Sequence, residues 1–348
     1  MKRFCLRTPF WVLATTLLVT CFLLGMKLAD PPGQQMQTFA NAFLETLSEE
    51  QIAQTTVAYE SSERTDWHFI PMKTRKGLPL MEMNTAQRTA ALRLLRSALS
   101  EAGYRKASQI MLLEDVLRQL EGPNSESRRN RQKYYVTLFG TPDSVEPWGL
   151  SFEGHHLSLN FSCRDGKLVD SSPQFFASNP ATIMSDVEGP LGKGTRVLRR
   201  EEDLAFELIN SFDETQKSAA IIADDAPRDI RFGGLAQAKV GPPEGLRFGR
   251  LTKDQAKRLK QIVSVYTDAV PEQIAKARRD AINTSGWDNI YFAWAGATKP
   301  GIGHYYRIQG DEFLIEFVNT QPDSAGNPAN HIHCVYRDLT GDFGLPNS

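Results

Sequence analysis

The sequence predicts an α+β fold, with N-terminal helices packed on a mainly antiparallel sheet. Three observations carry that prediction. A helix-start signal recurs as Ser48-Glu-Glu-Gln51, Asn84-Thr-Ala-Gln87, Asp213-Glu-Thr-Gln216 and Thr252-Lys-Asp-Gln255, each with a capping side chain three residues before a Gln. Alternating apolar runs gather after residue 134, chiefly Tyr134 to Phe139 and His155 to Cys163. The stretch from Gly303 to Gly344 then reads as a hairpin plus a third strand, and it holds three of the six histidines.

In chain order, Lys2, Arg3 and Arg7 precede an apolar run from Pro9 to Met26, closed by Lys27. A basic stretch before an apolar one is the pattern of an export leader, and this run is just long enough to span a bilayer. Residues 1–30 are therefore expected to be a signal peptide or N-terminal membrane anchor. The remainder would be exported, periplasmic or extracellular, and would meet the membrane only through that segment. Residues 35–348 are expected to form a single α+β domain: a helical part 35–121, an exposed polar linker 122–133 and a sheet-bearing part 134–348.

Helices are expected from each capping signal. That from Asn84 should end near Gly103, with Leu92, Leu95 and Leu99 on one side, and another should span about Lys106 to Glu121. Glu201 to Phe212, Thr252 to Ala269 and Pro271 to Ile282 complete the set, with Pro suited to a first helical position. Strands are expected at Tyr134 to Phe139, Gly149 to Phe152, His155 to Cys163 and Tyr291 to Trp294. Ser171 to Asn179 and Ile221 to Gly245 read as long loops, the second a candidate lid or binding loop. Cys163 and Cys334 fall on the apolar sides of their strands and read as buried thiols.

In the final segment, Gly310-Asp311 is expected to turn the hairpin. Strand alternation then places His331, His333 and Arg337 on one face of the third strand, with Tyr305, Arg307 and Glu316 on the matching face of the hairpin. His156, on the polar side of its strand, is a further candidate. His155 is expected in a structural hydrogen bond, and Glu153 as a carboxylate that orients an imidazole. His68, beside Trp67, could line a pocket or sit at a surface edge.

Formal net charge is −1, from 40 basic and 41 acidic side chains, which gives no footprint for nucleic acid. No phosphate-loop, dinucleotide, HExxH or GxSxG signature occurs, and no repeat of fixed period stands out.

Trp67 to Pro71, Phe139-Gly-Thr-Pro142, Gly154-His-His-Leu-Ser-Leu-Asn-Phe161, His304-Tyr-Tyr-Arg-Ile-Gln-Gly310, Asn330-His-Ile-His333 and Asp342-Phe-Gly344 occur in that order. Together they closely resemble the domain-of-unknown-function family numbered thirty-five hundred, from about residue 35 onward. The resemblance implies an exported protein of about this size and implies no activity. Members often continue past the Asp-Phe-Gly stretch into a segment with a further His, and this sequence stops at Ser348.

The residues themselves point first to an exported metal-dependent hydrolase. His156, His331 and His333 would be ligands and His304 a fourth, with zinc the first cation and copper the second. Glu316 would be general base, and Arg307 and Arg337 would hold an anionic group or developing charge. The substrate would be a small molecule, glycan or peptide. The alternatives are a copper-dependent oxidoreductase, a metal-free enzyme using His as base, and a non-catalytic surface-anchored module for sugars or peptides.

Overall fold

The structure, a computed structural model, describes residues 30–346 apart from Ser144. The expected leader therefore lies, but for Asp30, outside the described residues. No helix among the described residues is long and apolar enough to cross a membrane. From Pro32 onward the chain forms one compact unit.

The first half runs α1 (Pro32–Leu44), α2 (Glu49–Thr55), β1 (Thr56–Val57), β2 (Leu78–Pro79), α3 (Thr85–Ser97), α4 (Glu101–Glu121), β3 (Tyr135–Phe139), β4 (Trp148–Gly154), β5 (Leu157–Arg164), β6 (Lys167–Asp170) and β7 (Gln174–Ser178). The second runs α5 (Arg199–Asn210), α6 (Glu214–Ala220), β8 (Ile221–Ala223), β9 (Leu246–Arg247), α7 (Lys253–Thr267), α8 (Glu272–Ser285), β10 (Tyr291–Gly296), β11 (His304–Gln309), β12 (Phe313–Asn319) and β13 (Ile332–Asp338). The fold is α+β. Its single sheet has the order β1-β3-β4-β5-β7-β13-β12-β11-β10-β8, with β2, β6 and β9 pairing off that path. Only β1–β3 and β8–β10 are parallel.

That order is a palindrome about the antiparallel pair β7–β13, and the registers repeat with it. Tyr135 faces Glu153 as Tyr291 faces Gln309. Gly154 faces Leu157 across one hairpin turn, and in the other Gly310 bonds to Phe313. Leu78 faces Val136 as Leu246 faces Phe292. The chain is thus two topologically equivalent halves joined about a pseudo-two-fold axis. The sequence hides this because the offset between equivalent positions differs among strands, loops and helices, so no fixed period exists. What the halves share is physical. All four capping boxes are formed. Their glutamines also pair across helices, Gln51 with Gln87 and Gln216 with Gln255. Gly77 and Gly245 both have positive φ, and a Cβ on either would meet a carbonyl oxygen, that of Val136 at 2.4 Å or Phe292 at 2.3 Å.

The sheet separates two cores. Phe176, Ile332, Cys334, Tyr336, Tyr306, Ile315 and Phe317 face the helices in the main core. The opposite face carries Phe175, Ala177, Val318, Val335 and Tyr305, covered by Trp67, Phe69, Ile230 and Phe343 from the loops.

Several expectations are corrected. The helix expected from Asn84 to Gly103 ends at Ser97, and Ser100 caps a new helix that contains Gly103. Gly103 is there because a Cβ would meet the Ala269 carbonyl oxygen at 2.0 Å, not because a helix ends. In the stretch 122–133, Pro123, Asn124, Glu126, Ser127, Arg128 and Arg131 are exposed, but it is anchored. Ser125 and Arg129 are buried, and Arg129 makes two-pronged contact with Glu121. Ser171 to Asn179 contains β7, the strand that joins the two halves. Its residues are buried on both faces, so it shows no alternation, and Pro173 and Pro180 frame it. The hairpin turn is Asp311-Glu312, since Gly310 N–H donates to the Phe313 carbonyl at 3.0 Å. That slips the register by two residues, which preserves every side chain's face. Cys163 and Cys334 are free and buried, as expected, and burial pushes the Cys163 thiol up to about 12.

Candidate metal centre

Three imidazoles converge on the loop-covered face. The ligand atoms of His156, His331 and His333 all lie within 4.8 Å of one another, the one such group of His, Cys, Asp and Glu among the described residues. His331 Nε2 lies 2.9 Å from His156 Nε2 and 3.1 Å from His333 Nε2.

Each half supplies part of the group. His333 lies on β13 opposite Ala177 of β7 and Val318 of β12, and His331 immediately precedes that strand on the same face. His156 does not stand on a strand face as expected. His155 and His156 form the two-residue turn between β4 and β5, and His156 takes φ 65°. A non-glycine residue there costs roughly 1–2 kcal/mol, so its surroundings must hold it. The Phe69 carbonyl accepts the His156 N–H at 2.8 Å, and the Ala177 N–H donates to the His156 carbonyl at 2.9 Å.

The outward nitrogens are fixed as well. Asp229 Oδ1 lies 2.8 Å from His333 Nδ1. His331 turns Nδ1 outward, 3.4 Å from Asn179 Nδ2, and Nε2 toward the other two imidazoles. Asp229 thus leaves the His333 Nε2 lone pair facing inward, and His331 turns its Nε2 to the same space. Phe69 meets His333 edge-on, with centroids 5.1 Å apart, and itself stacks on Phe175 at 4.0 Å. Burial and the neighbouring imidazoles hold His156 well below the usual histidine range and take His331 down to about 3. Neutral imidazole is the form that ligates.

His155 has the structural role expected. It stacks on His156 with centroids 3.6 Å apart, contacts Glu114, and has Arg129 Nη1 3.0 Å from its Nδ1. Glu114, not Glu153, is its carboxylate. Glu153 is held by Lys76 at 3.2 Å and by Ser158 at 3.2 Å.

The remaining candidates separate. His304 is on the helix-facing side of the sheet, stacked on Trp294 and tilted against Phe206, with Nε2 3.3 Å from Glu202. It is corrected from ligand to core residue, because its parity on β11 matches Tyr306 and not Tyr305. Arg337 is fully buried and spends its donors on Asp342 and on the carbonyls of Phe232, Leu235 and Ala236. It clamps the loop with four of its five N–H donors. It also lies four residues from His333 along β13, about 13 Å at strand rise. Glu316 is fully buried, accepts from Tyr305 Oη at 2.6 Å and Arg231 Nε at 2.9 Å, and does not join the imidazole group. Arg307 faces Glu316 and binds Glu244 at 2.7 Å. His68 is half exposed and paired with Asp66 at 3.1 Å.

Sequence reasoning missed Asp229, Phe69 and Phe175 as members of the site. Asp229 is one of several acids in a loop rich in Gly and Pro, and nothing local marks it. The loop after β8 is ordered over the face: Asp229 binds His333 and Arg231 binds Glu316.

The chain matches, over residues 30–345, the family described as "Protein of unknown function (DUF3500)". It belongs to that family. No curated protein and no solved structure matches it.

Proposed function

We propose that His156, His331 and His333 form a trihistidine metal centre and that the protein is a metal-dependent hydrolase, with zinc the first cation and copper the second. One observation carries this reading. His156 Nε2 and His333 Nε2 both converge on His331 Nε2, at 2.9 and 3.1 Å, and Asp229 holds His333 Nδ1 outward. Tetrahedral ligands on zinc sit about 3.3 Å apart, close to the 2.9 and 3.1 Å found here. Asp229 completes the carboxylate–histidine arrangement that fixes a ligand's tautomer and basicity.

A divalent cation there would acidify a water and polarise an ester, amide or glycosidic oxygen. The protein's own part is to hold the three rings, keep them neutral, and exclude bulk water with Phe69 and Phe175. His331 is only half-buried, so that edge of the centre reaches solvent. The absence of thiolate from the donor set also suits copper, which makes a copper-dependent oxidoreductase the second reading. Export remains a proposal that rests on the leader.

Elemental analysis of the purified protein is expected to find about one equivalent of metal, lost in His333→Ala. Turnover of an ester, amide and glycoside panel should fall with it. Retained turnover in His333→Ala would overturn the ligand assignment, and metal without turnover of any panel member would overturn the hydrolase.

A further inference from the structure

A second polar group lies on the same face, beneath the loop after β8. Glu316 Oε1 is crowded: it takes the Tyr305 hydroxyl at 2.6 Å, Arg231 Nε at 2.9 Å and the Arg231 backbone N–H at 3.4 Å. Glu316 Oε2 has no partner, and neither has Arg231 Nη2 nor Arg307 Nε, all three buried. Leaving such groups without a partner is unfavourable, and more so when they are charged. They belong to one cluster, since Arg307 faces Glu316 across β11–β12 while Arg231 binds it from the loop.

The fold does not need these charges. The pseudo-two-fold maps Tyr305, Arg307 and Glu316 onto Gly149, Ser151 and Asn160, which occupy the same registers on β4 and β5. Small neutral side chains occupy those registers in that half, where Ser151 Oγ also lacks a partner. The second half instead buries a carboxylate and two guanidiniums and leaves one atom of each open.

What would fill the gap follows from counting. Two guanidinium nitrogens, Arg231 Nη2 with two N–H donors and Arg307 Nε with one, and one carboxylate oxygen are open. A hydroxyl offers one donor and two acceptor lone pairs. Charge points the same way. Arg231 and Arg307 are balanced by Glu316 and Glu244, so an anion would arrive with no net positive charge to meet it. The rim is open to solvent, because the Glu244 side chain is 62% exposed and that of Arg231 36%.

We propose that Arg231, Arg307 and Glu316 form a binding subsite for a hydroxyl of a neutral polyol or sugar. The site uses none of the three imidazoles, so it stands without the metal centre. Asp229 and Arg231, two residues apart, tie the same loop to both.

The test is ligand-observed saturation-transfer NMR on the full chain with glycerol, sorbitol and glucose, and acetate as the anionic probe, before and after chelator treatment. At least one polyol is expected to bind, acetate not to, and chelation to leave the signal unchanged. Arg231→Met, at the partly exposed position least able to disturb folding, should weaken that binding at least tenfold. A crystal soaked in the bound polyol should place a hydroxyl oxygen on the three open atoms. No polyol binding, equal binding of acetate, loss of signal on chelation, an ordered water alone in the gap, or binding at crystal concentration only would each overturn the proposal.

Discussion

Asp229 Oδ1 lies 2.8 Å from His333 Nδ1, a contact between a loop covering the sheet and the strand beneath it. It sets which nitrogen of His333 faces His331 and His156. Asp229→Asn is expected to lower metal affinity by about 10–100-fold while leaving stoichiometry intact. Competition against a chelator of known affinity measures this. An unchanged affinity would remove Asp229 from the centre.

Burial holds His331 at about 3 in the folded protein, against ~6.5 unfolded. A depressed folded pKa means the unfolded chain binds more protons between those values. The contribution to stability is therefore complete above pH ~6.5 and is lost as pH falls toward 3. Metal-free protein should lose about 1.4 kcal/mol per pH unit from this imidazole across that window. Calorimetry of His331→Gln, which cannot titrate, should show a shallower decline, and parallel curves would refute the assignment.

Arg337 and Asp342 form a buried ion pair at 2.7 Å, and Arg337 also holds three loop carbonyls. Arg337→Met strands Asp342 without its cation. A loss of about 3–5 kcal/mol in urea denaturation is expected, together with faster proteolysis between residues 224 and 245. An intact loop in this variant would contradict the clamp.

Gly103→Ala should gain up to about 1 kcal/mol from helix propensity. The added Cβ would, however, meet the Ala269 carbonyl oxygen at 2.0 Å, and backbone cannot swing aside. Overpacking of that kind costs about 1–3 kcal/mol, so net destabilisation in thermal melts is expected. A raised Tm would show that α4 can shift away from Ala269.

Local chemistry was legible wherever it was self-contained. Ser48, Asn84, Asp213 and Thr252 cap helices because a cap needs only its own next three residues. His331 and His333 share a face because strand alternation survives a two-residue slip in the hairpin. His304 shares the parity of Tyr306, which puts it on the helix-facing side, and Arg337 lies on the expected face but takes its partners from a loop distant in sequence. β7 was unreadable, since a strand buried on both sides carries no alternation and looks like a Pro-framed loop.

By itself the sequence determined the fold class, the four capped helices and which side chains share a strand face, for those depend on neighbours a few residues away. Tertiary structure alone decided that a histidine in one half's hairpin turn meets two from the other half, and that an aspartate from a distant loop orients one of them. Those contacts depend on the pairing of β7 with β13 about the pseudo-two-fold, a relation between residues far apart in the chain that no local pattern encodes.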